Sequence, residues 1–420
     1  MTKSVLNINK FDFLNLLIVK GANFSLVATI FFLVRIEVDT AAFIDFGFYW
    51  GLALMIGGVL FGGLGSTLVR LVSVSGSIQS IVYHPGVKTV SLVFCAIFLV
   101  NIFFAIQAAD IVGSMLVSMI GLGAIIQLHL AIMSILRAVK ATKYLFVCAS
   151  AMFILVTGLF LLTQGLSDSV SLILRRLLYA YFISAIVLCF VLRFLLNSSL
   201  VNAGERTVVE INRFKDSYVS FTLINIFSYA FVMIDFHILR ALLDTDVLSG
   251  AGVAKIYFDR FVIPLLSLVT GVVSLNILRA KTDSLVGNKS FTIKYDFNEK
   301  KAAILIPLLP LILLGYYAFS AYGDSGVSSL GYIQAALVLV GYFCFSLNGV
   351  FFDVFVIRYN SSAIFIGVLV YLSVSYLSYY FAISIFGLAG WVGACFLLNC
   401  TATCFSLLSL RIPQAKEKEL

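Results

Sequence analysis

Charge is scarce in this chain: Asp, Glu, Lys and Arg make up 11% of its 420 residues, and histidine occurs only as His84, His129 and His237. Long hydrophilic stretches are missing too. The most polar segments, near 193–217, 278–301 and 70–88, hold about twenty residues each, against about 100 for a typical soluble domain. A catalytic head outside the apolar part is therefore not expected. No loop contains a cysteine, since all seven (Cys95, Cys148, Cys189, Cys344, Cys395, Cys400, Cys404) fall within apolar runs. That pattern argues against a disulfide framework. Cys400 and Cys404 share a helix face without a His or carboxylate beside them, so they are expected to be small packing residues and no metal site is expected. No loop pairs a His with an Asp, and no Ser has a candidate base near it. The chain therefore reads as something other than an enzyme.

What is present is apolar. Hydrophobic residues reach 61%, with 39 Phe and 19 Tyr, and the mean hydropathy is +1.09. Such values belong to polytopic helical membrane proteins. Runs of about 20 apolar residues give about twelve candidate spans: 13–34, 49–69, 87–107, 112–136, 144–164 and 173–195, then 217–240, 252–277, 302–321, 330–357, 362–385 and 388–410. The first run is followed by no small-residue cleavage site and reads as a permanent span.

A sequence pI of about 9.0 would suggest nucleic acid in a soluble protein; in a membrane protein the placement of the basic residues matters more. Placing the N-terminus inside collects Lys3, Lys10, Arg137, Lys140, Lys143, Arg206, Arg213, Lys300, Lys301, Arg411 and Lys416 on that side, with most of the other Lys and Arg. Glu37, Asp39, Asp110, Asp168 and Asp324 then lie outside. The positive-inside rule puts both termini in the cytoplasm and leaves no role for nucleic acid.

The two halves echo each other. Arg35, Asp39, Thr40 and Gly47 recur in order as Arg240, Asp244, Thr245 and Gly252, and Gly62 and Arg70 match Gly271 and Arg279. An even number of spans per half makes the repeats parallel, related by an axis along the membrane normal, as in one class of transporters. The expected organisation is a lobe at 1–200, a cytoplasmic linker at 201–216 and a second lobe at 217–420.

Against this background the buried charges are the functional clue, since a charge at the bilayer centre costs roughly 2.5–3.5 kcal/mol on insertion scales. Lys20, Asp235, Lys255, Asp259, Arg260 and Asp353 all fall inside spans. Lys255 and Asp259 are spaced to pair on one helix face. Arg260 lies deeper, and Pro264 removes the amide that would bond the carbonyl of residue 260, so a kink beside a cavity-facing arginine is expected. Asp235 can carry a proton or sodium ion, or pair with a lysine. Asp353, near the cytoplasmic end of its span, reads as an anchor. The glycines of the second span, Gly57, Gly58, Gly62, Gly63 and Gly65, allow close approach of a neighbouring helix.

Several stretches together resemble a known family. Arg35 closes the first span, Gly47-Phe48-Tyr49 follows, and Gly62-Gly63-Leu64-Gly65 leads to Leu68-Val69-Arg70. Asp235 precedes Gly252-Val253-Ala254-Lys255-Ile256-Tyr257 and Arg260, and Gly387-Leu388-Ala389-Gly390-Trp391-Val392-Gly393-Ala394 opens the last span. In this order they resemble the Wzx-type O-antigen flippases of the multidrug/oligosaccharidyl-lipid/polysaccharide (MOP) exporter superfamily. The resemblance implies an all-α polytopic membrane protein of about 12 transmembrane helices in two six-helix lobes, MATE-like, with a V-shaped cavity between them. It implies a bacterial inner membrane location and translocation of undecaprenyl-pyrophosphate-linked oligosaccharide, possible coupling to a proton or sodium gradient, and a polysaccharide polymerase and chain-length regulator as partners. Lys20, Lys255 and Arg260 would then be cavity cations that attract pyrophosphate. The stretch Lys255-Ile256-Tyr257-Phe258-Asp259 is more charged than the family pattern. Two alternatives stand beside this reading: a cation-coupled drug or metabolite exporter of the same superfamily, and a membrane-embedded polysaccharide polymerase or ligase. The short outer loops count against the latter.

Overall fold

In lipid the backbone must satisfy its own hydrogen bonds, so a chain of this composition has helices or a closed barrel open to it. The computed structural model is almost entirely helical in the residues it describes. It describes residues 10–75, 112–138, 142–163, 169–197, 211–267, 299–321, 330–358 and 361–411, with parts of 88–100, and no strand occurs among these residues. The helices are α1 (Lys10–Glu37), α2 (Thr40–Ser75), α3 (Val112–Ala138), α4 (Thr142–Leu162), α5 (Val170–Asn197), α6 (Ile211–Leu242), α7 (Thr245–Tyr257), α8 (Glu299–Ala321), α9 (Tyr332–Arg358) and α10 (Ser361–Arg411). Seven segments among the described residues are long and apolar enough to cross a membrane. Most of the span expected at 87–107, most of the 201–216 linker, Gly271, Arg279 and the side chains of Arg70 and Asp353 lie outside the described residues.

Two expected interruptions take definite form. The last apolar stretch, Phe365–Ser406, covers 42 residues, and α10 breaks within it at Gly387, with φ 56° and ψ −130°. Only glycine adopts such a conformation readily, so the two spans expected there join at that residue. After α7 the chain passes into a π-helical turn, Phe258–Val262, whose exit is marked by Ile263 N–H bonding the Phe258 carbonyl. Pro264 follows at once and supplies no amide, which favours the wider turn over a continued α-helix.

The repeated Arg-Asp-Thr pattern marks two corners of the same build. Asp39 ends the bend between α1 and α2 and accepts the Ala42 amide at 2.7 Å, with Phe43 N–H bonding the Asp39 carbonyl. Asp244 holds the same place before α7, where Leu248 N–H bonds its carbonyl.

The chain divides into two compact units, Met1–Ile234 with Asn360–Leu372, and Asp235–Tyr359 with Ser373–Leu420. In the first, α1, α2 and α5 meet around an aromatic knot in which Phe31 packs edge-on to Trp50 at 5.7 Å and Trp50 packs against Tyr181 at 6.4 Å. The glycines of α2 serve close packing, as their spacing suggests. Gly57 meets the backbone of Gly123 on α3, Gly58 faces the ring of Tyr229 and Gly62 the side chain of Asn225 on α6. Polar bonds fix these contacts: Asn225 Nδ2 donates to the Gly62 carbonyl at 2.7 Å, the Tyr218 hydroxyl to the Leu60 carbonyl, and Gln127 Nε2 to Tyr229 Oη at 3.2 Å. Between apolar helices in lipid, such packing and hydrogen bonding replace the hydrophobic effect as the force of association.

The second unit packs aromatics around the π turn. Tyr257 stacks on Phe261 at 5.3 Å, and Phe258 stacks on Tyr342 of α9 at 5.5 Å. The Tyr257 hydroxyl donates to the Ile312 carbonyl of α8 at 2.9 Å.

Candidate functional site

The second unit buries a network of charged and hydrogen-bonding groups drawn from four helices and the π turn. Asp235 comes from α6, Lys255 from α7 and Asp259 from the π turn, and Lys255 is 1% exposed, Asp235 2% and Asp259 4%. Lys255 and Asp259 lie one helical turn apart, and the ammonium reaches Asp259 Oδ1 at 2.6 Å. The same ammonium lies 3.0 Å from Asp235 Oδ1. It also donates to Tyr342 Oη at 2.8 Å, and the Tyr342 hydroxyl in turn donates to Asp259 Oδ1 at 2.6 Å. Trp391 of α10 completes the set, its Nε1 donating to Asp235 Oδ2 at 2.9 Å. The ring of Tyr342 lies 5.3 Å from the ammonium, close enough for a cation–π contribution.

Chemically the arrangement is a cation held between two carboxylates. The mutually bonded groups are two acids and one base, so with all three ionised they sum to one negative charge. Asp259 Oδ2 is buried and accepts no hydrogen bond among the described residues. A buried anionic surplus is expensive in low dielectric, and a group able to take up a proton or small cation relieves it.

Of the residues singled out by sequence, three come together here: Asp235, Lys255 and Asp259. Their pairing is geometrically real, and the lysine is engaged with both acids. Arg260 is buried, at 6% exposure, on the π turn next to Asp259. Lys20 is partly exposed on α1, in the other compact unit. His237, on the face of α6 away from the network, is exposed.

Sequence reasoning missed Tyr342 and Trp391. A tyrosine inside an apolar run gives no signal of its own, because its hydroxyl function depends on which helix faces it. Also missed was a second buried ion pair, in the first unit. Arg176 of α5 donates to Glu37 Oε1 at 2.5 Å, to Thr163 Oγ1 at 3.1 Å and to the Phe160 carbonyl at 3.0 Å, with its guanidinium 4.4 Å from the Phe160 ring. Each nitrogen of this guanidinium bonds α1 or the end of α4, which marks it as a clamp. Opposite charges at neighbouring helix ends were the available hint. His129 is likewise a closed structural element, bonded to the Ile125 carbonyl at 2.8 Å and Ser184 Oγ at 3.2 Å.

Comparison by sequence finds no matching protein-family model and no matching curated protein. Comparison of structures finds matches along nearly the whole chain. An outward-facing multidrug resistance MATE family transporter of the MOP superfamily aligns with a TM-score of 0.57 at 12% identity, over 98% of each chain. A MATE in the bent conformation gives 0.53 at 11% identity, over 94% of this chain and 93% of the other. A MATE in complex with MaL6 gives 0.51 at 14% identity, over 98% and 99%. Identities this low speak for the fold alone, and on that fold and its apolar helices the chain is an all-α, multi-pass membrane protein built like the MATE transporters of the MOP superfamily.

Proposed function

We propose that this protein is a proton-coupled membrane exporter of amphipathic drug-like or metabolite molecules, with Asp235, Lys255 and Asp259 as its coupling site. The observation that carries the reading is the buried cluster with one more carboxylate than ammonium, set in a transporter fold. A proton on one carboxylate leaves a neutral lysine–aspartate pair, and its loss restores the anionic state; alternating access would link the two states to opposite sides of the membrane. Sodium fits less well. The Lys255 ammonium already occupies the position between the two carboxylates, 2.6 and 3.0 Å from their oxygens, that a metal cation would need. On this reading the protein is a carrier, not an enzyme.

One observation favours a second reading. The order of Arg35, the Gly62-Gly63-Leu64-Gly65 run, Asp235 and the Gly387-to-Ala394 run resembles the Wzx-type flippases. The substrate would then be an undecaprenyl-pyrophosphate-linked glycan, with Arg260 and Lys20 as its cations and a polysaccharide polymerase and chain-length regulator as partners in a bacterial inner membrane.

Purified protein in proteoliposomes separates these readings. Under an imposed pH gradient, ethidium should move against its own gradient while internal pyranine reports proton flow, and Asp235→Asn should abolish both movements. A sodium gradient should give nothing in place of the pH gradient. Absence of proton-linked ethidium movement, together with flipping of a fluorescent polyprenyl-pyrophosphate glycan, would transfer the conclusion to the flippase.

A further inference from the structure

The last helix carries polar residues at a fixed interval, leading away from the charged cluster. Trp391, Cys395, Asn399 and Thr403 are spaced by four and so lie along one face of α10. Trp391 bonds Asp235. Two turns on, Asn399 Nδ2 donates to the Cys395 carbonyl at 2.8 Å and lies 4.0 Å from its sulfur. One turn further, the Thr403 hydroxyl is placed to bond Asn348 Oδ1 of α9 at 3.1 Å, the Asn399 carbonyl at 2.8 Å and the Cys344 carbonyl at 3.2 Å. The two helices close on this face because Gly341, the neighbour of Tyr342, has no side chain where it meets the Cys395 backbone.

We infer that this stripe is the proton conduit between the Asp235–Lys255–Asp259 cluster and the Arg411 end of α10; the inference rests on the proton-coupled reading above. From Trp391 to Thr403 the helix rises about 18 Å, more than half of the roughly 30 Å hydrocarbon thickness. Polar residues between membrane helices often serve only to hold them together, and a purely adhesive seam would close its bonds. This one does not. Asn399 is 1% exposed and its Oδ1 accepts no hydrogen bond among the described residues, while the Thr403 hydroxyl has three acceptors for one proton. The open Asn399 Oδ1 can take a hydrogen bond from a water molecule, and the Thr403 hydroxyl can turn among its three acceptors to pass a proton on. The opposite face of the same helix carries Leu397 and Phe405, 62% and 67% exposed, as a face turned to lipid should.

Two experiments on the full-length protein decide the matter. In proteoliposomes, Asn399→Leu with Thr403→Val should slow pH-driven ethidium movement at least tenfold, with ethidium binding in detergent and the melting temperature close to the parent's. Thr403→Ser, which keeps the hydroxyl, should recover the rate lost in Thr403→Val. Pumping by the double variant within twofold of the parent would overturn the conduit. The second readout does not depend on transport. In a variant with the native cysteines replaced, Asn399→Cys and Thr403→Cys should react with a charged, membrane-impermeant thiol reagent much faster than Leu397→Cys. Equal rates at the three positions would also overturn it. A parent that shows no proton-linked transport would remove the coupling reading, while the labelling would still show whether the stripe is open to water.

Discussion

At the scale of single residues, the two buried ion pairs make opposite demands. Lys255 sits between two acids, so Lys255→Met leaves two carboxylates facing each other without a cation. Removing one partner of a buried pair costs about 3–5 kcal/mol, whereas replacing the whole set by apolar groups is often neutral. Lys255→Met should therefore lower the melting temperature in detergent, and Asp235→Leu/Lys255→Met/Asp259→Leu should regain most of that loss without regaining proton-driven transport. A triple variant less stable than the single one would contradict this account of the cluster. Arg176 differs in having a purely structural setting: Glu37, Thr163 and the Phe160 carbonyl and ring surround it. Arg176→Leu should cost a similar amount, about 3–5 kcal/mol, read as loss of folded protein. Transport per folded molecule should stay unchanged; a selective fall in that rate would show that the clamp takes part in the cycle.

Among helices, close approach is set by glycine, and it differs sharply from one glycine to the next. A side chain on Gly123 would run into the Ala53 carbonyl and the Gly57 amide of α2, whereas one on Gly158 of α4 meets nothing within 4 Å. Backbone cannot yield as a flexible side chain can, so Gly123→Leu should prevent assembly of α2 with α3. Gly158→Ala should be tolerated, and relief of glycine's helix penalty, about 1 kcal/mol in water, would favour it slightly. Folded yield after detergent extraction measures both; recovery of Gly123→Leu at the parental yield would refute the backbone contact. The same contrast shows what the sequence could disclose. The glycine spacing of α2 announced a close-packed face, and the Lys255-to-Asp259 spacing announced a pair, because both are properties of one helix. Who faces the glycines was not written there: Gly123, Tyr229 and Asn225 carry no mark that assigns them to α2. Asp235 was recognised as costly, but its partners Lys255 and Trp391 lie on other helices, and such meetings are set by how helices pack. The π turn was foreshadowed only as a kink at Pro264, since a missing amide shows that the ladder breaks and not how it is repaired.

For the whole molecule, the proton-coupled proposal makes a definite statement about the currency of transport. On that proposal, two carboxylates and one ammonium accept one proton before the bonded groups become neutral, so one proton should enter the cycle for each substrate expelled. Exchange of one proton for one singly charged organic cation then moves no net charge across the bilayer. Ethidium transport should accordingly follow a pH gradient and be indifferent to a membrane potential applied alone, for example by potassium and valinomycin at equal pH on both sides. The two driving forces can be set independently in the same proteoliposomes, and the initial rates compared directly. A cycle that used two protons would import a net positive charge and speed up when the compartment receiving the protons is made negative, by zFΔψ of about 2.3 kcal/mol per elementary charge for each 100 mV. Transport driven by potential alone would therefore mean that a further titrating group shares the cycle.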